Sequence, residues 1–459
     1  MIVKSLKQYY NSLSQYTELR VQENKALNIT LLNGNLVQNS KSVTNGVSAR
    51  VYKNGSWGFA SSAEMNVENI KAVLKAAEGN ALFLDSRVKK NRSLFEPQSG
   101  TFEKDFSTKK SRHTQEQVME FMKELDDYIA SKYPNLTERM TALRCLDMEK
   151  TMITSNGADL YSMVPRANIV ISLSIEKDGQ PVSLYEVFGG LGQFEDNYSS
   201  PEDLYRKIDS LYENLIAKSE GGYANAGIKE CVLHQNLAGI LAHEAIGHTT
   251  EADLVLSGSI AADYMDKMIA SPLVNLVDYA HTYEYKTCPI PVFMDDEGTA
   301  AEDVVIIENG ILRNYMHNRE SARHFNTKPR GNARAYQFFD EPLIRMRNTA
   351  ILPGTSKLAD MIASIEDGYY LMQTNNGQAD TTSEFMFGIT MGFEIKNGRL
   401  GRAIKDTTIS GIAFDVLKSV TMISDDMIWL NGGMCGKKQM IPVGMGGPAI
   451  KCKVNIGGR

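Results

Sequence analysis

Leu237-Ala238-Gly239-Ile240-Leu241-Ala242-His243-Glu244-Ala245-Ile246-Gly247-His248 runs from an apolar lead-in into two imidazoles flanking a carboxylate. Leu237, Ile240 and Leu241 read as the buried face of a helix spanning about Leu237 to Thr249. Neutral imidazole binds zinc, and a neighbouring carboxylate can serve as general base to a metal-activated water. The spacing is one residue longer than the pattern H-E-x-x-H. On a regular α-helix, residues i and i+5 lie about 140° apart, so His243 and His248 could not easily aim at one ion. A local π-bulge realigns them, and such bulges favour functional sites. Gly247 is expected to loosen this turn. The chain holds only seven histidines, so two around a glutamate in an apolar segment favour a metal role over two packed rings.

A catalytic zinc usually takes three protein ligands, so one more is required. Glu251 and Asp253 are near in sequence, and Cys435 is remote. Cys435 lies in Asn431-Gly432-Gly433-Met434-Cys435-Gly436-Lys437-Lys438, where glycines permit close backbone approach and lysine favours thiolate. Cys145, Cys231, Cys288 and Cys452 sit among apolar, strand-like residues and read as small buried hydrophobes. On the residues alone, Cys435 and Glu251 remain equal candidates.

Several stretches together resemble the TldD/PmbA metallopeptidase family. They are His243-Glu244-Ala245-Ile246-Gly247-His248 with Glu251-Ala252-Asp253, then Gly433-Met434-Cys435-Gly436-Lys437 and Pro442-Val443-Gly444. Asn309-Gly310-Ile311-Leu312, Arg345-Met346-Arg347-Asn348-Thr349 and Gly377-Gln378-Ala379-Asp380 agree, so the resemblance spans essentially the whole chain. It implies one Zn2+ per active subunit, held by His243, His248 and Cys435, with Glu244 as catalytic base. The PmbA (TldE) type lacks the metal motif, so this chain is similar to the catalytic, TldD-type subunit. The resemblance further implies a dimer, including a heterodimer with a TldE/PmbA-like subunit, acting on unfolded or extended peptides. The competing reading is a non-catalytic, TldE-like scaffold that binds peptides or a partner. Glu251 reads either as a carboxylate hydrogen-bonded to a ligand imidazole or as a helix-surface charge, and stays outside the ligand set. His317, and the stretch Gly331-Asn332-Ala333-Arg334-Ala335, depart from the common TldD pattern. These departures bear on substrate preference.

A chain of 459 residues with 42% hydrophobic content and net charge −6 is typical of a globular protein and weighs against a nucleic-acid partner. No run of about 18 apolar residues suggests a membrane span. The N-terminus has no apolar signal-peptide core, and five widely spaced cysteines make no disulfide framework, so a reducing, cytoplasmic setting is expected.

Asn-Gly and Asp-Gly pairs at 33–34, 45–46, 54–55, 156–157, 178–179, 309–310 and 397–398 lie between β-branched or alternating runs. Each predicts a tight hairpin turn, so antiparallel sheet dominates. Helices are predicted over 67–78 with Asn66 as N-cap, over 115–131 with a capping box at Thr114 and Gln117, and over 201–218 with Ser200 as N-cap and Pro201 at the first position. The fold class is therefore α+β: an N-terminal mixed domain with antiparallel sheets and a strand-rich C-terminal domain carrying the metal-binding helix. The expected organisation is an α+β subdomain over 1–86, a polar linker over 87–112, a second α+β subdomain over 113–220 and a metallopeptidase domain over 226–459.

Overall fold

The computed structural model describes residues 5–13, 15–90 and 99–457. It shows an α+β molecule built on a large N-terminal sheet and two C-terminal sheets. β1 (Tyr16–Leu32), β2 (Asn35–Lys53) and β3 (Ser56–Ser62) form one antiparallel run. β4 (Gly100–Asp105) follows, then β5 (Glu138–Thr154), β6 (Ala158–Lys177) and β7 (Gln180–Leu191). β1 pairs with β5, so residues from both sides of the expected linker share one seven-stranded sheet. Part of that linker is β4, which adds to β6 in parallel, while residues 91–98, Pro97 among them, lie outside the described residues.

Six of the seven Gly-containing pairs sit at turns, with positive φ at Asn33-Gly34, Asn54-Gly55, Asp178-Gly179, Asn309-Gly310 and Asn397-Gly398, and at Gly157. Asn45-Gly46 is the exception: it lies inside β2, and the strand runs straight through it. A Cβ at Gly46 would come within 2.4 Å of the Phe338 ring. The glycine there serves a close approach from a distant segment, which no local turn rule detects.

α1 (Val67–Val88) starts at Asn66, whose side chain accepts from Asn69 N, as expected. It continues ten residues past the predicted end, through Gly79, because buried Ala81 carries on the stripe that packs against β2 and β3, where Ala77 O and Ala81 N lie over Gly58. α2 (Gln115–Lys132) carries the Thr114/Gln117 capping box. The helix Glu202–Ser219 is capped by Pro201 itself, one residue later than expected. α2 and Glu202–Ser219 cover the sheet with Met122, Leu125, Ile129, Ile208, Leu211 and Leu215, packed on Ile29, Leu143, Ile169 and Ile171. Burial of each such side chain stabilises by about 1.5–3 kcal/mol before entropy is subtracted.

The other face of β1 carries Arg20, Gln22 and Asn24, all buried. They donate to backbone carbonyls of the C-terminal half: Arg20 Nη2 to Asp340 O at 2.7 Å, Gln22 Nε2 to Tyr336 O at 2.6 Å and Asn24 Nδ2 to Tyr336 O at 2.7 Å. A polar strand face therefore docks the second half of the chain through these bonds, and Arg20 Nη1 adds a 3.6 Å ion-pair contact to Asp296.

In that half, β8 (Gly227–Leu233) lies between the parallel strand Asp367–Ala379 and the antiparallel strand Ile450–Ile456. Thr407–Ile412 and Glu384–Lys396 follow, and Glu384–Lys396 pairs back onto Asp367–Ala379, closing a five-stranded barrel. A six-stranded sheet includes β9 (Leu276–Tyr279), Asn348–Ile351 and Gly444–Gly447. The helix Gln235–Leu241 is wedged between barrel and sheet, in the largest apolar cluster. Among the described residues, no helix is long and apolar enough to cross a membrane.

Candidate metal centre

The helix Gln235–Leu241 widens into a π-helical turn over Ala242–Gly247, then tightens into a 3₁₀ turn over His248–Thr250. This is the widening that the five-residue histidine spacing predicts. It brings the His243 and His248 ring centroids to 5.2 Å. Gly247 plays a different part from the expected one. Its backbone is ordinary right-handed helix, with φ −56°. A Cβ there would lie 1.9 Å from the sulfur of buried Met346. Gly247→Ala is accordingly expected to destabilise by about 1–3 kcal/mol through overpacking. Thermal unfolding checks this, and Gly247→Ala/Met346→Ala should recover part of the loss.

The third partner arrives on the hairpin of Met434–Lys437 and Gln439–Pro442. Cys435 Sγ lies 3.2 Å from His248 Nε2. Among the described residues, His243, His248 and Cys435 form the one group of potential metal-ligating side chains, with ligand atoms all within 4.8 Å of one another. Glu251 is not in that group. Its Oε2 sits 2.9 Å from His248 Nδ1, on the far side of the ring. Glu244 is half-buried, with Oε2 3.9 Å from His248 Nε2.

The donor set fits a metal. His243 is fully buried, and neither ring nitrogen has a hydrogen-bond partner. A buried imidazole without partners is costly unless something accepts its lone pair, which a metal ion does. Burial, reinforced by His248, Arg345 and Arg334, holds its pKa well below the usual histidine value, so the ring is neutral and competent to ligate. Burial alone would also lower His248, but Cys435 and Glu251 overcome it and raise the ring to about 10. Surroundings that stabilise an imidazolium also stabilise a cation beside it. One nitrogen, one further nitrogen and one thiolate suit zinc. Burial raises the pKa of Glu244, and Glu251 adds to the effect, while His248 opposes it. The carboxylate is thereby made more basic.

Three residues hold this geometry, and of these only Lys437 has a part assigned from the sequence, as a cation beside Cys435. Arg345, fully buried, donates to the carbonyls of Cys435, Lys437 and Gln439 at 2.8–3.1 Å. Arg334 Nη2 donates to Pro442 O at 2.8 Å. Lys437 Nζ lies 3.2 Å from Glu251 Oε2 and 2.9 Å from Asp253 Oδ2. For the two arginines, the signal in the sequence is the alternation of Arg345 and Arg347 within an otherwise strand-like run. His317, one of the departures noted above, is buried with Nδ1 3.1 Å from Ser321 Oγ. Asn332 donates to Asp278 at 2.8 Å, so this second departure is part of the buried polar framework.

Residues 227–458 match the family model described as "PmbA/TldA metallopeptidase C-terminal domain", and residues 17–81 match its domain 1. The chain belongs to the TldD/PmbA metallopeptidase family. It is a metallopeptidase. A metalloprotease TldD homolog of Buchnera aphidicola (subsp. Schizaphis graminum) is 30% identical, over 94% of this chain and 90% of its own. A zinc metalloprotease TldD homolog of Saccharolobus solfataricus is 28% identical, over 91% of each. TldE from Thermococcus kodakarensis superposes with a TM-score of 0.77 over 98% of both chains at 16% identity. A Thermotoga maritima protein described as a candidate modulator of a DNA gyrase gives 0.80 at 18% identity, over 98% of this chain and 100% of its own. These two likenesses show a shared fold. Within the TldD/PmbA family, the intact His-Glu-His stretch and the cysteine beside it do not favour a TldE-like scaffold.

Proposed function

We propose that the chain hydrolyses peptide bonds in extended peptides, with zinc held by His243, His248 and Cys435 and with Glu244 as general base. The observation carrying this reading is the convergence of those three side chains, 187 residues apart in sequence between His248 and Cys435, beside a carboxylate whose basicity burial raises. Zinc in such a site supplies a Lewis acid that polarises a carbonyl and acidifies water. Glu244 takes the proton of the attacking water on a carboxylate oxygen and delivers it to the leaving amine. Glu251 fixes the His248 ring by accepting from Nδ1–H, which turns Nε2 toward Cys435 and reserves that nitrogen for the metal. Lys437 neutralises Glu251, and Arg345 holds the Cys435 backbone in register. We further propose a cytoplasmic enzyme that works as a dimer, with a TldE/PmbA-like chain as the partner.

The test is zinc content per chain for the wild type and Cys435→Ala purified in parallel. About one zinc in the wild type and a marked loss in the variant is expected. Equal zinc in both overturns Cys435 as a ligand. No zinc in folded, metal-supplemented wild type overturns the zinc reading.

A further inference from the structure

β6 passes in front of the metal hairpin with the sequence Val164-Pro165-Arg166-Ala167-Asn168. Alternation puts Arg166 and Asn168 on one face, while Ala167 and Ile169 enter the core under α2. Arg166 and Asn168 line two cavities, of about 360 and 250 Å³. Both cavities also reach Gly432, and the larger reaches Met434, next to Cys435. They are adjoining lobes of one cleft between β6 and the loop leading to Cys435. No aspartate or glutamate lines either lobe, whereas Arg144 adds a second cation to the larger one.

Arg166 is only 8% exposed, yet it has no carboxylate partner among the described residues. Its single hydrogen bond is a long one, Nη2 to Pro289 O at 3.4 Å, and its Nε is buried without a partner. The Asn168 Oδ1 is likewise buried and unpartnered. Burial pushes the Arg166 pKa down to about 10, so the guanidinium is charged at neutral pH. A desolvated, unpaired cation facing a cleft is costly on its own and becomes favourable when an anion enters. The planar guanidinium matches a carboxylate through two parallel N–H donors.

We propose that Arg166 anchors a carboxylate carried by the bound peptide, supplied by its free C-terminus or by an acidic side chain, and so sets the substrate's position relative to the metal hairpin. The proposal rests on the peptide-hydrolysis reading above and names a positioning residue for it.

The experiment measures fluorescence anisotropy of three labelled octapeptides on zinc-loaded Glu244→Gln protein, in which turnover is blocked. One peptide has a free C-terminus, one is a neutral C-terminal amide, and one is an amide with a single glutamate. At least one carboxylate-bearing peptide should bind about 10-fold or more tighter than the neutral amide, the range of a charged hydrogen-bonded pair. Adding Arg166→Gln should abolish that preference while leaving amide binding and zinc content unchanged. Arg166→Lys, which keeps the charge but not the fork, should restore only part of it. The peptide that gains identifies the source of the carboxylate. Equal binding of all three peptides, an equal loss for all three in Arg166→Gln, or binding of none overturns the proposal. Arg166-dependent binding with no cleavage by the zinc-loaded wild type would instead overturn the hydrolysis reading and leave this one standing.

Discussion

Glu244→Gln should lower kcat for peptide cleavage by about 10²–10⁴-fold while the protein keeps its zinc. Glutamine preserves size and hydrogen bonding but cannot take a proton at neutral pH. Glu244 is not in the group His243, His248 and Cys435, so on the proposed mechanism its loss spares the metal. KM should change little, because the base acts on the reacting water and not on the peptide backbone. Steady-state cleavage of an unfolded peptide and elemental analysis of the same preparation decide the matter. A variant that cleaves within threefold of wild type removes Glu244 from the role of base. A variant that loses zinc with activity makes Glu244 part of metal binding instead.

The second large effect is on stability. Asp278 and Arg347 are both fully buried and form an ion pair at 2.8 Å. Asp278 also accepts from the backbone N of Arg347, from Asn332 Nδ2 and from Thr349 Oγ1. Arg347 in turn donates to the carbonyls of Arg330, Glu302 and Asp278. Asp278→Ala leaves this guanidinium buried without its counter-charge and should cost about 3–5 kcal/mol. Asp278→Leu/Arg347→Met should recover much of that, since removing both charges avoids the uncompensated one. Because Arg345 on the neighbouring stretch holds the Cys435 carbonyl, zinc affinity should fall together with stability. Urea unfolding of the wild type, the single variant and the double variant is the measurement. A loss under about 1 kcal/mol in the single variant would show that Arg347 is satisfied by its carbonyl partners alone.

Local rules accounted for much of the architecture. Two-residue turns at Asn33-Gly34, Asn54-Gly55 and Asp178-Gly179 were legible because positive φ is a property of those residue types. The capping box of α2 was legible because both of its partners lie within four residues. The π-helical turn at Ala242–Gly247 followed from angular spacing alone. Where the same rules failed, the cause lay elsewhere in the chain. Asn45-Gly46 looked like a turn, but Phe338, almost three hundred residues away, fixes its glycine. α1 ran past Gly79 because packing on the sheet outweighs the modest cost of one helical glycine.

The α+β class, the hairpins, the capped helices and a helix bearing two histidines and a glutamate can all be read from residue order. All of these depend on backbone dihedrals and short-range periodicity, which neighbouring residues set. Which distant groups meet is set by the folded chain alone. On residues alone, Cys435 and Glu251 were equal candidates, and the fold puts Cys435 at His248 Nε2 and Glu251 at Nδ1. The fold also buries Arg20, Gln22 and Asn24 against carbonyls of residues 336–340 and leaves Arg166 unpaired in the cleft before the hairpin. Whether a buried polar group is satisfied depends on a partner supplied from afar, and a one-dimensional pattern carries no record of that partner.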